Sequence, residues 1–166
     1  MLPKQQVHAF AEAVADELGY RPGEPLDLLL SKIGGRLAYR DLFDATMNAD
    51  SIKVDPSGTF TIFVSGLTSE VRDRFTIAHE LGHYFLHFPL VRRAHPDAMM
   101  VATRWVDETN GDLRRAEWEA NWFAAAFLMP LQPFKDALAA HDNDIREVAL
   151  LFGVSLHAAD IRRNTI

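Results

Sequence analysis

The stretch RFTIAHELGHYFLH, residues 74–87, carries two histidines four apart with a glutamate directly after the first. At the helical pitch His79 and His83 lie about 40° apart around the axis, so both imidazoles reach one point in space. Glu80 is turned about 100° from His79. It is out of line as a ligand, yet it can reach a water held at the open position of a metal. This is the HExxH arrangement, in which zinc lowers the water's pKa toward about 7 and the glutamate takes its proton. Ile77, Leu81 and Phe85 give the helix an apolar face, and Gly82 leaves room near the site. The bland reading is an amphipathic helix that happens to carry histidines. Two imidazoles do not complete a catalytic metal site, since three protein ligands are usual. The fold must therefore press a second ligand-bearing element against this helix.

The sequence limits where that third ligand can come from. The extended pattern HExxHxxGxxH is excluded, because position 86 is Leu and position 89 is Pro. The chain has no cysteine, which removes thiolate sites and disulfides together. A second long helix, DLRRAEWEANWFAAAFLM, offers Glu117 and Glu119, which point about 160° apart. Glu117 shares a face with Asn121, whose side chain can meet the outer nitrogen of a ligating histidine. Glu119 has a ready partner in Arg115 on the other face. These arguments favour Glu117 as ligand, with Glu119 the alternative and a site without a protein carboxylate the third option. Glu117 has a plain partner too, in Arg114. His87 lies a full turn beyond His83 and reads as a core or rim residue. Tyr84, or one of the scattered histidines 8, 95, 141 and 157, is a candidate donor to the oxyanion that hydrolysis generates. One Zn2+ per chain is the expected cofactor, although two histidines and a carboxylate also suit Mn2+.

The chain of 166 residues is the size of one domain with a small appendage, and its 48% apolar and 24% charged residues suit a soluble globular protein. The opening residues are too charged for a signal peptide, and no run of about 18 apolar residues could span a membrane. The expected location is the cytoplasm. A net charge of −6 argues against broad nucleic-acid binding. Helical spacing predicts helices over residues 4–18, over LDLLLSKI, from Thr68 or Ser69 to Phe88 with Pro89 as the stop, and from Asp112 to Pro130. Shorter ones follow near 133–140, 144–152 and beyond Ser155. RLAYR reads as a strand, and SIKV with TFTIFV, joined by DPSG, as a hairpin. Residues 89–111 read as an irregular connection.

Two segments taken together, RFTIAHELGHYFLH and EWEANWFAAAFLMP, resemble the ImmA/IrrE-type zinc metallopeptidase family. PLDLLLSKIGGRLAYR is similar to that family's lead-in, and DIREVALLFGVSLHAADIRRNTI to its C-terminal element. The resemblance is loosest over residues 40–58 and 89–111. It implies an α+β fold with a gluzincin-like core: a small antiparallel or mixed sheet, the HExxH helix, and a second helix bringing a glutamate. A metallopeptidase core over 1–130 and a helical, helix-turn-helix-like element over 131–166 are expected. The resemblance places metal ligands at His79, His83 and Glu117 and the general base at Glu80. Relatives in the wider group carry Asp where this chain has Asn121. It further implies an endopeptidase that cleaves a helix-turn-helix transcriptional repressor in a stress-response, mobile-element or toxin–antitoxin setting.

Two other readings compete. EVALLFGVSLHAADIRR has the shape of a helix-turn-helix, which would set Arg162 and Arg163 on DNA; the acidic flanks weigh against direct DNA binding. A noncatalytic metal-binding regulator is the other, and it would have no use for Glu80. Trp118, Trp122, Phe123 and Phe127 fall at core spacing on the second helix. The oligomeric state is open.

Overall fold

A computed structural model describes residues 2–40, 50–103 and 109–166. Helix α1 (Lys4–Glu17) and the short α2 (Asp27–Lys32) lead into strand β1 (Gly35–Tyr39). Strands β2 (Asp50–Val54) and β3 (Phe60–Val64) follow as the expected antiparallel hairpin, with Ile52 opposite Ile62 and Val54 opposite Phe60. Alternation in β3 buries Phe60, Ile62 and Val64, and the same face of β2 buries Ile52 and Val54. β1 lies parallel to β3 on its other side. Gly35 is required there, because a Cβ would sit 2.3 Å from the Phe60 ring. The four-stranded sheet has the order β1-β3-β2-β4, and the fold is α+β.

Helix α3 (Glu70–Gly82) starts after Ser69, which holds the N-cap position without a side-chain bond. It does not stop at Phe88. A π-helical turn over His83–His87 links it directly to α4 (Phe88–Ala94). Pro89 was expected to end the helix, yet it sits in the first turn of α4, where its missing N–H costs no hydrogen bond. The stretch expected to be irregular thus begins as helix, and it also contains β4 (Met100–Thr103), antiparallel to β2. Residues 104–108 of that stretch lie outside the described residues.

Helix α5 (Gly111–Leu128) is capped by Asn110, whose Oδ1 accepts from the N–H groups of Asp112 and Leu113 at 3.1 and 3.2 Å. The cap therefore falls two residues before the Asp112 that the sequence suggested. Ala120, Phe123, Ala124, Phe127 and Leu128 are buried against α1 and α3. Trp118 leaves that core: it is 47% exposed and lies beneath the Arg114 guanidinium. Helices α6 (Leu131–Ala140), α7 (Ile145–Phe152) and α8 (Leu156–Arg163) add Phe134, Val148, Phe152 and Ala159 to the same apolar cluster. Two buried arginines tie this end to the rest. Arg74 of α3 donates to the carbonyls of Gly153 and Glu24 and to the Tyr20 hydroxyl. Arg162 of α8 donates to the Met129 carbonyl and to Glu12. Among the described residues no helix is long and apolar enough to cross a membrane.

Candidate metal centre

The site forms where α3 crosses α5. Gly82 sets how close they come, because a Cβ there would lie 2.9 Å from the Ala120 Cα and 3.1 Å from its carbonyl oxygen. Only a glycine lets the two backbones approach so nearly. One turn along α5 from Ala120, Glu117 then points at the two histidines of α3. Its oxygens lie 3.2 Å from Nε2 of His79 and 3.1 Å from Nε2 of His83, and the two Nε2 atoms are 3.2 Å apart.

That triangle has the dimensions of a metal's ligand set. Bonds of about 2.0–2.1 Å at tetrahedral angles place ligand atoms about 3.3 Å from one another. The His79–His83–Glu117 group could therefore hold a metal ion. Its electrostatics point the same way. Burial pushes the Glu117 carboxyl up, but hydrogen bonds and charge from His79 and His83 outweigh it and hold the group at about 2. Burial draws His79 down, and the bond to Glu117, the Glu80 and Glu117 charges and Asn121 together raise it. The Glu117 carboxylate is thus held ionised against the two imidazoles.

Glu80 sits beside this triangle, 4% exposed, and its Oε2 has no hydrogen-bond partner. Burial raises its pKa above the ordinary carboxylate value, while His79, His83 and the nearby Ser51 hydroxyl pull it down. A buried, unpartnered carboxylate oxygen is costly. Glu80 lines a cleft of about 350 Å³ together with Ser51, Thr76, His79, Glu117 and Asn121. The geometry suits a group that takes up a proton inside that cleft.

The other sequence-selected residues divide. Asn121 Oδ1 lies 3.0 Å from His79 Nδ1, where the shared face with Glu117 had put it. Glu119 is not in the triangle. It accepts from Arg115 at 3.1 Å and lies 3.3 Å from His87 Nε2. Tyr84 faces away from the cleft, donating its hydroxyl to the Gly58 carbonyl and packing on Phe60 and Phe88. Arg162 is 3% exposed and bonded inside the fold, whereas Arg163 pairs with Asp160 at the surface. Sequence reasoning missed His87 and Ser51. Ser51 carried no signal in a strand of ordinary composition. His87 did, through its four-residue step from His83, and that step was read as distance from the metal alone.

An α+β domain with two helix-borne histidines, a facing glutamate and a buried acid beside them has the donor set of a metallopeptidase. The chain belongs to the IrrE N-terminal-like domain family, a peptidase family whose model matches residues 42–164. No curated protein matches it. Among solved structures it is similar to a Mycobacterium tuberculosis transcriptional regulator, with a TM-score of 0.64 and 21% identity. The match covers 96% of this chain and 46% of that one, so the chain spans under half of the solved relative's length.

Proposed function

We propose that this chain is a zinc-dependent endopeptidase, with His79, His83 and Glu117 holding the metal and Glu80 as general base. The observation that carries the reading is the ligand-sized triangle with the unpartnered Glu80 oxygen beside it. Zinc in such a site supplies Lewis acidity, which makes water a nucleophile near neutral pH and polarises a carbonyl. The rest falls to the protein. Glu80 accepts the proton of the attacking water on its carboxylate and passes it to the leaving amine. Its burial suits that task, because an acid raised above its usual range can hold the proton between the two transfers. Asn121 accepts from His79 Nδ1 and so keeps its Nε2 turned to the metal.

The substrate we propose is a helix-turn-helix transcriptional repressor, cleaved at a specific site in the cytoplasm as part of stress-response or mobile-element control. Family membership and the likeness to a transcriptional regulator support that setting. The test is cleavage of a candidate repressor by wild type and by Glu80→Gln with zinc content measured in both. The variant should keep zinc and fold while cleavage falls by roughly 10²–10⁴. Cleavage at the wild-type rate by zinc-loaded Glu80→Gln would overturn the mechanism.

A further inference from the structure

His83 meets a side chain on its outer edge that the reading above leaves unused. His83 Nδ1 lies 3.0 Å from Nδ1 of His87, and His87 Nε2 lies 3.3 Å from Oε2 of Glu119. Glu119 is 7% exposed and held from two more sides, by the Arg115 guanidinium and by the backbone N–H of Leu2, each at 3.1 Å. Arg115 also donates to the Leu2 carbonyl. The π turn begins at His83 and ends at His87. The widened backbone is therefore the piece that sets this pair's separation, and such turns concentrate at functional sites.

The proton positions along this line follow from what each group can do. An ionised carboxylate only accepts, so His87 carries a proton on Nε2. With that proton on Nε2, a neutral His87 offers Nδ1 as an acceptor toward His83. Two facing nitrogens share one proton, so the proton lies on Nδ1 of His83. That arrangement leaves Nε2 of His83, the atom facing Glu117 and His79, as the one available to a metal.

We propose that His87 and Glu119 are positioning residues of the metal centre: Glu119 orients His87, and His87 fixes His83 with Nδ1 protonated and Nε2 toward the metal. The proposal rests on the metallopeptidase reading for its purpose, but the hydrogen-bond chain is made by the protein's own side chains. It also gives Glu119, the alternative ligand in sequence, a different task. The two ligand histidines are then held unequally, His79 by a single exposed amide and His83 by a line ending on a buried carboxylate.

The test has two readouts on the 166-residue chain. Nitrogen NMR of metal-free and zinc-loaded protein should show a 15N–15N coupling across the bond between Nδ1 of His83 and Nδ1 of His87, with the proton on His83. Zinc affinity, measured against a chromophoric chelator, should fall about 10–100-fold in His87→Phe, and His87→Gln, whose side-chain oxygen can accept from His83, should recover most of it. Absence of the coupling in wild type would overturn the proposal, as would unchanged zinc affinity in His87→Phe. A chain that bound no zinc would instead defeat the enzymatic reading, and the coupling in metal-free protein would still decide the hydrogen-bond line.

Discussion

Helices α5 and α8 carry the same kind of sequence cue and put it to opposite uses. Each presents charged residues on an amphipathic background, Glu117 and Glu119 on one and Arg162 and Arg163 on the other. On α5 the half-buried Glu117 faces the histidines of another helix. On α8 one of the two residues expected to reach DNA, Arg162, is buried and bonded to the Met129 carbonyl, His8 and Glu12. The difference lies in what each cue demanded. HELGH requires a partner at a fixed place, so a glutamate on a facing helix has one plausible destination. A pair of arginines near a helix end specifies no partner, and an arginine serves equally well as an anchor for carbonyls. Motifs that oblige a second element to converge say more about function than residue type does.

The comparison can be broken most forcefully at Arg162. Arg162→Ala leaves the Met129 carbonyl buried without its donor and should cost about 2–4 kcal/mol in chemical denaturation. Arg163→Ala, on an exposed pair, should change stability by less than about 0.5 kcal/mol. Equal effects from the two would mean that α8 is not anchored as described. The helix crossing is the next target. Gly82→Ala should force α3 away from Ala120 at about 1–3 kcal/mol, more than the ~1 kcal/mol gained in helix propensity, and should weaken metal binding along with stability. A variant that was stabilised with metal affinity intact would show that the close approach is not needed.

A smaller effect concerns pH at the α8 anchor. Burial, then the Arg162 and Lys4 charges, lower the His8 pKa from 6.5 to about 4. The unfolded chain therefore takes up this proton first as pH falls. His8 contributes no penalty above about pH 6.5 and an increasing one down to about pH 4, where the folded protein is protonated as well. Denaturation midpoints between pH 7.5 and 5 should fall more steeply for wild type than for His8→Gln, whose side chain can still accept from Arg162. Parallel slopes would contradict this account of the anchor.

Much of the site was legible because helical periodicity is rigid. The 40° between His79 and His83 and the 160° between Glu117 and Glu119 follow from pitch, and Asn121 follows from its four-residue step. The hairpin was legible from its turn and alternation. What the sequence hid depends on contacts that periodicity does not encode. His87 reads as surplus when its spacing is judged only as distance from a metal, whereas its contacts with His83 and Glu119 come with a π turn that the spacing does not encode. Trp118 matched a core pattern, but the face it shares with Arg114 is open to solvent. Pro89 reads as a helix stop until a π turn resets the register and makes it the start of the next helix. Strand β4 has four residues and takes its place from β2.

The central claim is that α5 completes a metal centre on α3 through Glu117. Metal content of purified wild type, Glu117→Ala and Glu119→Ala tests it most directly. The account predicts about one zinc per wild-type chain, retained in Glu119→Ala at somewhat weaker affinity and lost in Glu117→Ala. A wild-type chain that took up no metal when zinc was offered, or a Glu117→Ala variant that held it as firmly as wild type, would contradict it.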